Sequence, residues 1–200
     1  RLAWVREKAV YGGGGFQPVR GDRAVIQAIT NQPVIGGEVE SFNTLSEIQL
    51  FRPLPWIKPA WVLALRALGA TSSGTDAVRY YMGGDGTLRG FAFGDVRGRL
   101  AASTTAEVRA PLFESIRIGL WPLQFISIRQ VQVAGFVDTA WVGDEPEALA
   151  LSRRQTGAGG GLRILCFLFE RQPVLLRLDL ARRTDREAQP VLHISLRDSF

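Results

Sequence analysis

Two hundred residues fit one domain of ordinary size, and 46% apolar residues with a mean hydropathy of +0.05 suit a soluble globule and a membrane β-protein equally well. No run of about 18 apolar residues occurs, which excludes a helical membrane span, whereas a barrel strand needs only about 9–11 alternating residues. The net charge of +5 rests on arginines scattered along the chain, with Lys8 and Lys58 as the lysines, so no clustered basic face offers itself to nucleic acid. Cys166 and His193 are each single, so neither a disulfide framework nor a Cys/His zinc site can be built within one chain, and no cofactor or metal is expected. The opening Arg1-Leu2-Ala3-Trp4-Val5 lacks the pattern of a signal peptide and reads as the middle of a strand.

Taken in chain order, the signal is period-two alternation in segments of about ten residues, separated by Gly, Pro and charged stretches. Strands are expected at 1–11, 23–31, 39–52 and 60–71, with Gly12–Gly15 as a glycine turn and Pro53–Lys58 as a short linker. The longest linker, 72–98, follows. From Arg99 to Leu112 the odd positions carry Arg99, Ser103, Thr105, Glu107 and Arg109, and the even ones Leu100, Ala102, Val108 and Leu112. One face is small and charged and the other mostly apolar. The stretch 113–128, with Leu120-Trp121-Pro122-Leu123, reads as an extension whose Trp121 would sit in an interfacial belt.

At Gln130–Val142 the even positions hold Gln130, Gln132, Ala134, Phe136 and Asp138, against Val131, Val133, Val137 and Trp141. Asp144–Arg154 is read as a loop with at most one turn of helix. After a strand over 156–169 and a short linker at Glu170–Pro173, Val174, Leu176, Leu178 and Leu180 face away from Arg177, Asp179 and Ala181. The last segment, 189–200, sets Leu192, Ile194 and Leu196 against His193, Ser195 and Arg197. This makes about nine strands. Trp56, Trp61, Trp121 and Trp141 fall near strand ends, where aromatic girdles belong.

Several chemical readings fail on the residues. Gly83–Gly86 is followed by no G-K-S/T, so it is a glycine-shaped loop and not a phosphate cradle. Alternation puts Asp198 on the face opposite His193 and Ser195, which dismisses a Ser/His/Asp triad. His193 reads as a residue of the polar face or the seam, and Cys166 as a small packing residue. No catalytic set remains, and the chain is expected not to be an enzyme. Periodicity alone leaves a soluble β-sandwich binding module level with a barrel.

Short motifs separate the two. Gly83-Gly84-Asp85-Gly86-Thr87-Leu88-Arg89-Gly90-Phe91 resembles the long sixth extracellular loop of the BamA, TamA and FhaC superfamily of bacterial surface antigens, whose hallmark is V/I-R-G-F/Y; Leu88 replaces Val or Ile. Thr105-Ala106-Glu107-Val108-Arg109-Ala110-Pro111-Leu112 is similar to the S-x-E-x-R-x-P-L strand that follows, and Phe136-Val137-Asp138-Thr139-Ala140 to F-x-D-x-G, with Ala140 for Gly. Gly159-Gly160-Gly161-Leu162-Arg163 resembles G-x-G-L-R, and Leu178-Asp179-Leu180-Ala181 resembles L-D-x-A. Ser195-Leu196-Arg197-Asp198-Ser199-Phe200 resembles the closing strand, with Arg197 for the usual Gly. The likeness runs over about 39–200 in order and spacing.

The resemblance implies an all-β, antiparallel transmembrane β-barrel of the bacterial outer membrane. Residues 1–200 would be its C-terminal portion, about nine strands of about sixteen, with the 72–98 loop folded into the lumen. It implies that Leu88, Arg89, Gly90 and Phe91 form a loop-lock motif whose Arg89 reaches Glu107 and Asp138, and that Phe200 is a terminal assembly signal. The implied function is insertion or translocation of client outer-membrane or secreted proteins among outer-membrane lipids, with periplasmic domains or assembly partners outside this chain. A passive porin-like or structural barrel stays open as the alternative.

Overall fold

The computed structural model describes residues 1–11, 17–32, 38–55, 61–114, 116–119, 125–185 and 187–198, with side chains to 196. Among them the chain is almost entirely strand: β1 (Leu2–Glu7), β2 (Val10–Tyr11), β3 (Pro18–Asn31), β4 (Ser41–Leu54), β5 (Trp61–Ser73), β6 (Tyr80–Met82), β7 (Val96–Gly98), β8 (Leu100–Phe113), β9 (Ile118–Gly119), β10 (Ile126–Gly143), β11 (Gln155–Leu168), β12 (Gln172–Arg183) and β13 (Val191–Asp198). Eleven form one antiparallel sheet in the order β1-β3-β4-β5-β8-β10-β11-β12-β13, with β2 beside β3 and β9 beside β10. Apart from the hairpin β6–β7, each long strand pairs with its predecessor in this row, so the sheet is a meander. A single curved sheet with one inner face replaces the two packed layers that a sandwich requires. Among the described residues β1 and β13 do not pair with each other, and the sheet is open.

Alternation decides which side chains meet the inner face. On β10, Ala134, Phe136, Asp138 and Ala140 are buried, while Val133 and Val137 between them are exposed. On β12, Leu175, Asp179 and Ala181 are buried and Leu180 is exposed; on β13, Leu192, Ile194 and Leu196 are exposed to 60–71%. Large aliphatics that avoid the interior and line an outer surface at period two are what a strand requires when its outside is lipid. No helix among the described residues is long and apolar enough to cross a membrane, which says nothing against strands that do.

Strand bounds differ from the expectation at several places, and the expected strand 1–11 is divided into β1 and β2. β3 begins at Pro18 and not near 23, because Pro18 and Gly21 read as turn residues; Gly21 has φ +110°, and a Cβ there would lie 2.1 Å from the Lys8 carbonyl oxygen. β10 begins at Ile126 and not 130, because the pairing with β11 shifts between Ile128 and Gln130. Part of the 113–128 stretch continues β8 as β9, pairing Ile118 with Ile128 and Gly119 with Ser127. Within 144–154 lie two short 3-10 turns, Pro146–Leu149 and Leu151–Arg153. Trp61 opens β5, at a strand end. Gly12–Gly15, Trp56 and Trp121 lie outside the described residues.

The turn from β11 to β12 is a tight one. Phe169 and Glu170 both adopt left-handed backbone, φ 51° and 57°, and the Arg171 N–H donates to the Leu168 carbonyl at 3.0 Å, as in a type I′ hairpin. Neither residue is glycine, so the turn is held from outside. The Phe169 N–H donates to the Phe125 carbonyl at 2.6 Å, their rings stack at 5.2 Å, and Glu170 pairs with Arg117 and Arg129.

Candidate functional site: an arginine loop on the inner face

The 72–98 segment leaves β5, rises through the hairpin β6–β7 and turns its middle against the inner face. The Tyr80 hydroxyl ties the hairpin to the wall by donating to the Thr71 carbonyl at 3.0 Å. The turn is closed by the Gly84 N–H donating to the Phe91 carbonyl at 3.1 Å and by the Gly83 N–H donating to Thr87 Oγ1 at 3.0 Å. Leu88 and Phe91 then flank Arg89, are almost completely buried, and pack with Met82 against Ala70, Ala101 and Ala140. Those three alanines stand on the neighbouring strands β5, β8 and β10. Their small side chains leave the depth that Leu88 and Phe91 fill, so a large residue there would expel the loop.

Between the two apolar anchors Arg89 is 3% exposed. Its Nε donates to Asp138 Oδ2 at 2.7 Å and its Nη2 to Asp138 Oδ1 at 2.9 Å, a bidentate pair, and its backbone N–H adds a third bond to Oδ2 at 3.1 Å. Nη1 donates to Glu107 Oε2 at 2.8 Å and to Asp179 Oδ2 at 3.2 Å, and the guanidinium lies 3.3 Å over the Phe136 ring. Buried guanidinium without such partners would be strongly unfavourable. Burial opposes the charge, but the hydrogen bonds and charges of Asp138 and Glu107 outweigh it and hold the Arg89 pKa above its ordinary value.

The acids are themselves shared. Arg163 Nη2 donates to Glu107 Oε2 at 3.0 Å and its Nη1 to Asp179 Oδ1, Arg109 Nε donates to Glu107 Oε1 at 2.7 Å, and Arg177 Nη2 to Asp179 Oδ2 at 3.3 Å. Arg177 also lies 3.6 Å from Asp85, which belongs to the loop. Arg89, Arg109, Arg163 and Arg177 thus face Asp85, Glu107, Asp138 and Asp179, and the charges balance. Glycines give the cluster its room. A Cβ at Gly157 would sit 1.9 Å from the Arg89 carbonyl oxygen, and one at Gly161 2.0 Å from Asp179 Oδ1. Gly90 has φ +89°, and a Cβ there would strike the Arg182 backbone at 2.7 Å.

Arg89, Glu107 and Asp138 are therefore brought together, with Leu88, Gly90 and Phe91 around them; Phe200 lies outside the described residues. The motif reading had no role for Arg163, Asp179 or Arg109. Arg163 and Asp179 stood inside quoted motifs, and Asp179 also on the polar parity of its strand, whereas the glycine-rich strand of Arg163 gave no such parity. His193 belongs to the same neighbourhood, since its Nε2 accepts the Gly90 N–H at 3.1 Å. Nothing in the cluster is a nucleophile poised beside a base, and among the described residues no group of His, Cys, Asp and Glu could hold a metal ion. The arrangement binds a loop to a wall.

An open antiparallel meander with an apolar outside and a charged inside that holds one of its own loops defines the wall of a transmembrane β-barrel with an internal loop. Comparison with known proteins gives the family. The Omp85 superfamily domain matches residues 13–170, and the chain belongs to that superfamily as a BamA-like barrel portion. Among solved structures, the crystal structure of BamA from Haemophilus ducreyi lacking POTRA domains 1–3 superposes with a TM-score of 0.68 at 19% identity. The match covers 97% of this chain and 40% of that one. A search of curated proteins returns no match.

Proposed function

We propose that this chain is part of an outer-membrane barrel that inserts client outer-membrane proteins or translocates secreted ones, in a bacterial outer membrane and without catalytic chemistry of its own. One observation carries the reading. The loop tip bearing Leu88-Arg89-Gly90-Phe91 is fixed by Arg89 to Asp138, Glu107 and Asp179 on three different strands, β10, β8 and β12. Such a fixed loop braces a wall whose last strand, β13, is paired on one side alone among the described residues, and unpaired edges invite pairing with another strand. Client strands would meet that edge while the loop keeps the rest of the wall in register. Outer-membrane lipids are the surroundings, and periplasmic domains or assembly partners would be supplied from outside these residues.

Complementation of a strain depleted of the intact protein tests the proposal. Wild-type protein restores assembled client barrels, and Asp138→Asn restores markedly fewer at equal abundance. A passive porin-like barrel is the second reading, favoured by the polar cavity of about 470 Å³ beneath the loop, lined by Arg23, Glu47, Arg66 and Arg109 among others. Client assembly that is normal without the protein, together with altered uptake of small solutes, would establish the pore instead. Phe200 is proposed as the terminal assembly signal. Its deletion lowers the amount of heat-modifiable barrel, and unchanged abundance would refute that role.

A further inference from the structure

The contact that joins the loop tip to the last strand belongs to neither the ionic cluster nor the apolar anchors. The Gly90 N–H donates to His193 Nε2 at 3.1 Å, across 103 residues of sequence. Gly90 stands beside Arg89, and its backbone is already pressed against β12 at Arg182. His193 lies on β13, an edge strand held among the described residues by β12 alone, where it pairs with Asp179. That same Asp179 accepts Arg89, Arg163 and Arg177. One imidazole therefore touches the loop tip, and its cross-strand neighbour touches the charge that fixes the loop.

From this geometry we infer that His193 is a positioning residue that couples the closing strand to the loop, so that β13 and the Arg89 loop loosen together. The inference rests on the barrel reading above but not on what the barrel transports. Its chemistry is specific. To accept from Gly90, Nε2 must be unprotonated, which puts the ring proton on Nδ1. An added proton on Nε2 removes the acceptor and turns the ring into a cation. Its cross-strand neighbour on β12 is Asp179, and the loop residue it contacts is Gly90, next to Arg89. On its own strand the outward neighbours Leu192 and Ile194 carry no charge. Coupling of this kind is reciprocal: whatever draws β13 away from the loop weakens the hold on Gly90, and release of the loop weakens the hold on β13.

Amide hydrogen exchange on the intact protein in lipid nanodiscs tests it, read at Gly90 and at 191–196. His193→Leu is expected to speed exchange at both places by at least about tenfold, and His193→Gln, whose side-chain oxygen can accept the same N–H, to stay near wild type. A change at Gly90 with none in β13, or no change at either, overturns the coupling. Should His193→Leu fail to assemble, His193→Ala, smaller and likewise without an acceptor, is read in the same way against wild type and His193→Gln. Faster exchange in both segments is expected for His193→Ala alone, and parallel behaviour of the three proteins overturns the inference. Client assembly is scored on the same samples: its failure in every form refutes the insertion reading and leaves the exchange result to decide the coupling.

Discussion

The middle of the sheet and its two edges solve different problems with the same alternating pattern. Strands β8, β10, β11 and β12 turn Glu107, Asp138, Arg163 and Asp179 inward, each 5% exposed or less at the side chain, and spend their inner face on one loop. At β1 every residue is exposed, and its ion pairs, Arg6 with Asp22 and Glu7 with Arg23, lie between a quarter and a half open to solvent. Charge is thus present in both regions, but only in the middle is it taken out of water. The difference teaches where substitutions will be felt: a buried carboxylate has no substitute when removed, whereas water replaces an exposed one at little cost.

The sharpest test of that contrast is Asp138→Asn. It keeps one acceptor but turns an amide toward the guanidinium, and by the usual figure for a broken buried pair it costs about 3 kcal/mol, read as a lower unfolding temperature of the folded band and faster proteolysis within 72–98. Asp179→Asn should fall close behind, since it strips acceptors from Arg89, Arg163 and Arg177 together. An unaltered loop in both variants would show that the middle is no better held than the edge.

A smaller loss, about 1–3 kcal/mol, is expected for Gly157→Ala, whose methyl must displace the Arg89 carbonyl; the same assay should show the loop shifted while the sheet persists. On the outer face, Ile194→Arg puts a charge among lipid-facing aliphatics, and depending on its depth costs from about 1 to about 4 kcal/mol in bilayers but far less in detergent, a difference that urea titration in each medium measures. The smallest effect belongs to the edge. Asp22→Asn, removing the partner of Arg6, should change stability by no more than about 0.5 kcal/mol in the same titration, and a loss equal to that of Asp138→Asn would erase the contrast.

Much of the wall was legible because period two is a local property. The nine long strands were each found, and parity alone put Glu107, Asp138 and Asp179 on one face. What escaped has local causes too. Between Ile128 and Gln130 the β10 pairing slips, so the outward set changes from Ile126 and Ile128 to Val131 and Val133, and the broken phase concealed the start of the strand. Tyr80–Met82 and Val96–Gly98 are too short to alternate, so the hairpin inside the long loop left no period. The partners of Arg163 were hidden for another reason: Glu107 lies two strands away and 56 residues earlier, a neighbour that only register can supply.

The meander also orders events in time. Every pairing between neighbouring long strands can form as soon as the later one arrives, strand by strand, the longest closure being the 72–98 segment between β5 and β8. The grip on Arg89 cannot. It needs Glu107, 18 residues on, then Asp138, 49 residues on, and last Asp179, 90 residues on. Until β12 is in place the guanidinium lacks its third carboxylate, and until β13 is in place the amide of Gly90 lacks its imidazole. The settled loop is thus a record that the final hairpin has been made, and a chain stalled before that point would carry an arginine still in search of its acids.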